Sequence, residues 1–396
     1  MKFLTALILF FITNSYCEMK FNPSFNLSIS GGKYYLDDRS SSLDLNLDAI
    51  LSPVLSFDEN RSLYPTYIGY YRGVQDIEEL VGGDVLVRQR MGHSFSLKYV
   101  YLKDFNYIKP RFSYSINYIN ETKDENWGEG LFDYRTLSFG IEFEQERPNA
   151  SYKEYFDFFS VDYPNYSTLL SKADTVIDTT TYSELSQNAG KDVLNSRNYR
   201  AGISYTIFPK NLTLTSSLNF TYKDYFDQAL VNESGGFDSD KRRDLLTEAG
   251  LNLEKSDKKL YMGVSFYFNW LKSNQNSYDA SRTKYIEDYY SYLSFDITPK
   301  ITINLKNKGS FSYFFSYNRL NYLGRLSQDI NGDYLSSKIY QNFYINSLAV
   351  KYEVSKNLYA NASYSYQVVD SNMRYEAGYR YNYKSSNFMF GISWEF

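Results

Sequence analysis

Most of the chain consists of segments in which apolar and polar side chains alternate. The last nine residues show the pattern clearly, because every second position is apolar: Phe388, Phe390, Ile392, Trp394 and Phe396. The same period of two recurs at 212–222, 260–270 and 358–367. Strict alternation over such lengths indicates β-strands with one apolar and one polar face, since successive side chains of a strand point to opposite sides.

The alternation and the turn signals between segments predict about sixteen strands. They lie at 24–36, 42–52, 66–75, 92–104, 109–121, 131–145, 150–160, 197–208, 211–224, 241–255, 259–272, 283–298, 301–322, 338–354, 357–369 and 380–396. Fourteen or eighteen strands also fit, because the turn near Pro299 has an alternative at 307–309 and the period shifts between Tyr383 and Phe388. Many of these strands reach the ~9–11 residues that cross a bilayer at a tilt.

The connections between the predicted strands alternate in length. Short turns at 208–211, 255–258 and 354–357 are interleaved with longer polar stretches, the longest of which spans about 161–196. Short turns on one side and long loops on the other are typical of membrane β-barrels. We therefore predict an all-β fold, a transmembrane antiparallel up-and-down β-barrel. A secreted β-sandwich is the alternative, because sandwiches alternate as well.

The N-terminus has the features of a secretory signal peptide. Lys2 supplies a positive charge, 3–12 is apolar, and Ser15 and Cys17 place small residues before a cut at Glu18. We expect cleavage to remove 1–17 and to leave 18–396 as a single barrel domain with long extracellular loops. This cleavage would also remove the only cysteine. Disulfides and thiolate chemistry are therefore excluded from the mature chain.

The final strand, with apolar residues alternating from Phe388 to a terminal Phe396, resembles the insertion signal of Gram-negative outer-membrane β-barrel proteins. Together with the leader, the resemblance covers the whole chain as an architecture and identifies no subfamily. It implies integration into the outer membrane, contact with its lipid and lipopolysaccharide, and recognition by the barrel-assembly machinery.

Composition changes the picture of the interior. The mean hydropathy is −0.48 although 19% of the residues are aromatic, which fits apolar side chains that face lipid and polar ones that face inward. A barrel of this size is wide enough for a water-filled lumen. The candidate lumen-lining residues are Lys98, Arg111, Glu142, Arg200, Glu248, Tyr261, Tyr267, Asp288, Tyr290, Tyr292, Lys351 and Tyr359.

A polar lumen favours a porin-like channel for passive diffusion of small hydrophilic solutes. Two alternatives are the barrel component of a surface-polysaccharide or protein export pathway, and a structural or adhesive barrel that displays its loops. The lumenal tyrosines suggest a further hypothesis, in which their rings stack on sugars. The connection at 161–196 either stays exposed or folds inward and narrows the pore.

Other functional classes have little support in the sequence. His93 is the only histidine and has no catalytic motif around it, so we expect no enzymatic activity and no catalytic residues. We also expect no metal site and no cofactor. Nucleic-acid binding is disfavoured by a net charge of −4. The sequence is compatible with either a monomer or a trimer.

Overall fold

The computed structural model describes residues 19–37, 42–78, 85–120, 125–166, 192–305, 308–376 and 380–396. The predicted signal peptide and most of the connection at 161–196 lie outside the described residues. The described elements are strands: β1 Lys20–Asn22, β2 Phe25–Leu36, β3 Ser42–Leu51, β4 Val54–Ser56, β5 Arg61–Glu78, β6 Val85–Lys103, β7 Asn106–Asn120, β8 Tyr134–Arg147, β9 Ala150–Asp162, β10 Ser196–Ile207, β11 Leu212–Val231, β12 Phe237–Ser256, β13 Leu260–Ser273, β14 Ser277–Asp279, β15 Lys284–Ile286, β16 Tyr292–Asn304, β17 Gly309–Gln328, β18 Tyr334–Ser355, β19 Leu358–Ser371 and β20 Tyr383–Glu395.

Sixteen of these strands form a closed antiparallel barrel, in which each pairs with its neighbours along the chain. Strands β9 and β10 pair across the long connection, from Ser196 opposite Val161 to Ile207 opposite Ala150. Strands β2 and β20 close the barrel. The short strands β1 and β4 pair beside the wall, and β14 and β15 form a separate hairpin. The predicted all-β barrel of about sixteen strands is confirmed.

The two ends of the barrel differ in their connections. Strands β2 and β20 meet where the described chain begins and ends, and the Phe25 amide donates to the Phe396 carbonyl at 2.9 Å. The turns at this terminal end are short. Between β18 and β19, for example, Asn357 adopts a left-handed φ of 67°, which asparagine tolerates in a tight hairpin turn. The longer connections lie at the opposite end, which we call the loop end.

The turn predicted near Pro299 is wrong, whereas its alternative at 307–309 agrees with the end of β16 at Asn304 and the start of β17 at Gly309. Strand β16 continues through Pro299 to Asn304, so the strands predicted at 283–298 and 301–322 are displaced along the chain. Pro299 lies opposite Val264, and the register with β17 is the same on either side of it. A proline removes one ladder hydrogen bond, but its φ is compatible with an extended strand. Pairing on both sides therefore holds the strand straight.

Several strands extend beyond their predicted bounds at the loop end. Strand β11 reaches Val231 where 211–224 was predicted, and β12 begins at Phe237 instead of 241. The hairpin of β5 and β6 likewise extends to Glu78 and Val85. Outside a bilayer the backbone can remain paired without an apolar face, so alternation underestimates these lengths.

The faces of the barrel are inverted relative to a soluble protein. Outward residues of β20 are strongly exposed, including Phe390 at 67% and Trp394 at 48%. In the described chain the buried side chains are mainly polar, such as Asn198, Thr221 and Asp244. The apolar side chains thus face outward, and the polar side chains pack against one another inside.

Candidate functional site

The lumenal wall is formed by the side chains that alternate with the exposed apolar ones. On β6 to β10 it carries a network of charges. The Arg111 guanidinium donates through Nε to Asp157 Oδ1 at 2.8 Å and through Nη2 to Oδ2 at 2.7 Å. Its Nη1 lies 3.3 Å from Glu142 Oε2. Lys109 Nζ donates to Glu142 Oε1 at 3.0 Å and also pairs with Glu144. These contacts place Arg111 and Glu142 on the inner face in one network.

The Arg111–Asp157 pair spans a whole strand, because Arg111 lies on β7 and Asp157 on β9. Gly140 of β8 lies between them. A methyl group at Gly140 would be 1.9 Å from Asp157 Oδ1 and 3.0 Å from Arg111 Nε. The glycine is therefore required for this bidentate contact, which is among the strongest hydrogen-bonded pairs that side chains form.

Three further cations lie beside this network. Lys98 stands opposite Arg111 in the sheet register, and Arg200 stands opposite Asp157. Together with Lys153, these residues border a cavity of about 470 Å³ on the inner wall. Predicted lumenal residues Lys98 and Arg200 thus lie with Arg111 and Glu142.

Glu248 and Tyr267 lie farther around the wall, on β12 and β13. They border a second cavity of about 350 Å³ with Asp296 of β16. Asp296 accepts hydrogen bonds from Thr298 at 2.9 Å and Ser316 at 2.8 Å. This part of the wall contains carboxylates, hydroxyls and amides, in contrast to the cation-rich part on β6 to β10.

Lumenal tyrosines lie flat against the wall over glycines. The Tyr155 ring extends across β10 over Gly202, and its hydroxyl donates to Asn219 Oδ1 at 2.8 Å. The Tyr70 ring likewise extends across β6 over Gly92, and its hydroxyl donates to Asn117 Oδ1 at 2.7 Å. A glycine in a strand permits close approach of a neighbouring group, and here that group is a ring. Tyr267 packs beside Gly250 in a similar way.

Lys351, Tyr359 and Tyr261 lie near the terminal end of the lumenal wall. Lys351 Nζ donates to Glu395 Oε1 at 2.6 Å and lies 4.0 Å from the centroid of the Tyr359 ring. Tyr261 lies on the neighbouring part of the wall, with Lys300 Nζ 5.6 Å from its ring centroid. These residues lie on β13, β18 and β19 and are therefore separated around the barrel from the network on β6 to β10.

The predicted placement of Asp288 and Tyr290 in a barrel strand is wrong. Both lie in the segment between β15 and β16, where Asp288 has a φ of 52°. This segment packs so closely on β17 that a methyl group at Gly324 would be 2.1 Å from the Glu287 carbonyl oxygen. Of the three neighbouring predicted residues, only Tyr292 belongs to the wall, as the first residue of β16.

Tyr290 nevertheless contacts lumenal cations at the loop end. Its ring centroid lies 4.2 Å from Cζ of Arg242 and 5.7 Å from Cζ of Arg325. The guanidinium of Arg242 is bound bidentately by Asp244, at 2.9 and 2.7 Å. Cation–π contacts of this kind tie the segment 287–291 to the inner wall.

The neighbouring hairpin of β14 and β15 is connected to the start of β18 through Asp279. The Ser281 hydroxyl donates to its carboxylate at 2.6 Å and the Tyr334 hydroxyl at 2.9 Å. These hydrogen bonds, that of Ser281 first, hold the pKa of Asp279 below its usual range. The contribution of this contact to stability is therefore present above the ordinary carboxyl pKa and is lost as the pH falls through the lowered value.

Solved structures share this architecture. No family model matches the chain, and no curated protein matches it. OprB of Pseudomonas putida is 9% identical, with 95% of this chain and 94% of that one covered, at a TM-score of 0.53. The chain has the fold of outer-membrane β-barrel proteins.

Two more barrels are similar at lower scores. OmpT of Vibrio cholerae, an outer membrane protein in its trimer form, is 12% identical over 96% of this chain and 99% of that one, at a TM-score of 0.49. The outer membrane protein OpdK of Pseudomonas aeruginosa is 8% identical over 95% and 99%, also at 0.49. At such identities the similarity concerns the fold alone.

The predicted insertion-signal residues lie at the seam of this outer-membrane barrel fold. Phe388, Phe390, Ile392, Trp394 and Phe396 are all exposed. The Trp394 ring packs edge-on against Phe25 of β2 with 5.5 Å between centroids. The Phe396 amide donates to the Phe25 carbonyl at 2.8 Å. The last strand thus joins an apolar outward face to the hydrogen bonds that close the barrel.

His93 lies on the outward face, in a group of aromatic side chains. Its Nδ1 is 2.8 Å from the Tyr67 hydroxyl, and its ring lies 6.5 Å from that of Tyr118. The described residues contain no group of three or more His, Cys, Asp or Glu side chains that would hold a metal ion. Within the same residues, no helix has the length and apolar character needed to span a membrane.

Lys109, Lys153, Asp157 and Asn219 belong to the inner wall but were absent from the predicted set. A signal for the β9 residues existed, because Lys153, Tyr155 and Asp157 alternate with the apolar Phe156 and Phe158. Their partners were beyond prediction, since a contact such as that of Asp157 with Arg111 depends on the register of three strands.

Proposed function

We propose that the chain is an outer-membrane channel for passive diffusion of small hydrophilic solutes. The observation that carries the proposal is the composition of the inner wall of a closed sixteen-strand barrel, where charged, hydroxyl and amide side chains face inward. Barrels of this size enclose an aqueous channel unless loops fill it. The flat tyrosines support the proposal, because rings held against the wall leave the lumen wider than rings that project into it.

The proposal includes a location and partners. The predicted leader 1–17 would direct export, the barrel-assembly machinery would recognise the strand ending at Phe396, and the outward aromatic residues would contact lipid. The terminal end would then face the periplasm, and the loop end would contact lipopolysaccharide. Fractionation of cells that express the full chain tests the location, with recovery in the outer-membrane fraction and an N-terminus at Glu18 as the expected results.

Reconstitution of the folded chain 18–396 into planar bilayers tests the channel. Discrete conductance steps that persist at constant voltage are expected from an aqueous pore. Heat-unfolded chain from the same preparation serves as the control for detergent artefacts. A folded barrel that inserts without conducting would contradict the channel and favour the export or surface-display alternatives.

A further inference from the structure

The inward charged side chains that surround the Arg111–Asp157 pair on β6 to β11 fall into two groups. Lys109 and Arg111 are ion-paired with Glu142, Glu144 and Asp157. A second group has no ion pair with another described residue, and it comprises Lys98, Lys153, Arg200 and Lys223. Together with Glu248 of β12, these nine residues make up a set of ten that we call the cationic wall: Lys98, Lys109, Arg111, Glu142, Glu144, Lys153, Asp157, Arg200, Lys223 and Glu248.

Arg200 is the clearest case of an unused donor. Its Cζ lies 5.1 Å from the centroid of the Phe159 ring, which holds the guanidinium against the wall. Its Nε is buried and has no hydrogen-bond partner. A buried donor without a partner is unfavourable by ~1–3 kcal/mol. Rotation of the guanidinium towards an acceptor in the lumen would remove this penalty.

The charge balance of the cationic wall is opposite to that of the chain. Its six cations exceed its four carboxylates by two positive charges, whereas the chain has a net charge of −4. Glu142 lies in the field of Lys153, Lys109 and Lys98, and Lys223 lies in the field of Asp244, Arg242, Arg200 and Glu248, so the cationic wall is one local field that continues to the Arg242–Asp244 pair. The cavity of about 470 Å³ bordered by Lys98, Lys153 and Arg200 opens onto this field.

We propose that the cationic wall binds small multivalent oxyanions of the phosphate and carboxylate class. The guanidinium fork of Arg200 matches the oxygens of such groups, and the two lysines add point charges from neighbouring strands. Arg111 and Asp157 already satisfy each other, so they leave the lysines and Arg200 as the available donors. The part of this inference that concerns transport rests on the proposed channel function, because a binding site in the lumen then favours permeation of anions.

Equilibrium binding tests the site independently of conduction. Isothermal titration calorimetry of the folded chain with pyrophosphate should show binding that weakens with added salt. Arg200→Gln and Lys153→Gln should each weaken it by about tenfold, the loss expected for one charge-assisted contact. Lys356→Gln is the matched control, since it removes one positive charge at an exposed turn of the terminal end. Absence of binding, or equal binding by all variants, would overturn the proposal.

Conductance then separates the two proposals. In a salt gradient the wild-type channel should show a reversal potential on the anion-selective side, and both lumenal variants should shift it towards cations while Lys356→Gln does not. A conducting channel that prefers cations and binds no pyrophosphate leaves the channel standing and overturns the oxyanion site. A barrel that binds pyrophosphate without conducting would support the oxyanion site and overturn the channel.

Discussion

At the scale of single residues, glycines determine how the inner wall packs. Gly140 lets Arg111 reach Asp157, and Gly202 lets Tyr155 reach Asn219. In each case the glycine lies on the strand between the two partners, so a side chain there would separate them. The wall is therefore built from contacts that skip a strand, and these contacts depend on residues without a Cβ.

We expect Gly202→Val to displace the Tyr155 ring into the lumen. The first added carbon would be 2.3 Å from Asn219 Oδ1 and 2.6 Å from Tyr155 Cε1, so the hydrogen bond between them is lost. Overpacking of this kind destabilises proteins by ~1–3 kcal/mol. The heat-unfolding midpoint of the folded barrel on gels should fall, and single-channel conductance should decrease.

Gly31→Val is the matched control, because the first carbon added at Gly31 would meet only ordinary contacts, at 3.7 Å and beyond. The double variant Gly202→Val with Tyr155→Ala should recover the conductance, since the displaced ring is absent. Unchanged stability and conductance in Gly202→Val would show that the tyrosine does not depend on the glycine.

A second prediction at this scale concerns the ion pair. Asp157→Asn removes the charged partner of Arg111 and should destabilise the barrel by ~1–3 kcal/mol, the range for a part-buried charged contact that loses one partner. It should also shift the reversal potential towards anions. Asp227→Asn is the control, because its pair with Lys241 is longer, at 3.8 Å, and exposed. Equal effects of both substitutions on stability and potential would contradict the importance of the network.

At the scale of elements, alternation predicted the strand segments with an exposed apolar face better than the strand extensions at the loop end. The face of Phe388 to Phe396 followed directly from a period of two. Pro299 misled the placement of one turn, because a proline is compatible with a strand whose register is fixed on both sides. Asp288 and Tyr290 were assigned to a strand because polar loop residues also alternate by chance. Side-chain contacts that reach across an intervening strand could not be predicted, because they depend on the register of three strands.

The segment 287–291 should be held to the wall by the Tyr290 ring. Tyr290→Ala removes its contacts with Arg242 and Arg325, so trypsin should cleave the folded protein faster after Lys284 in the adjoining hairpin. Tyr290→Phe keeps the ring and should keep the wild-type rate, because the cation–π contact does not need the hydroxyl. The same cleavage rate in wild type and Tyr290→Ala would indicate that backbone packing on Gly324 suffices to hold the segment.

At the scale of the whole molecule, the barrel closes between the two strands that are farthest apart in sequence. Strands β2 and β20 pair from Asn26 opposite Glu395 to Leu36 opposite Ser385. Contacts between distant parts of a chain form late, because the intervening loop must first be ordered. We therefore expect the outward residues of β20 to remain accessible until the barrel closes, which is when the proposed assembly machinery would bind them.

This timing separates two roles of Phe396. Its backbone closes the seam, whereas its side chain is 64% exposed and contributes to the outward face. If an assembly factor recognises the side chain, Phe396→Ala should lower the yield of folded barrel in cells several-fold, while refolding in detergent and the heat-unfolding midpoint stay as in wild type. Phe21→Ala is the control, since Phe21 is similarly exposed, at 58%, but lies in the short strand β1. If Phe396→Ala also failed to refold in detergent, the ring would be needed for barrel closure. If both variants gave equal yields of folded barrel in cells, the Phe396 side chain would have no role in recognition.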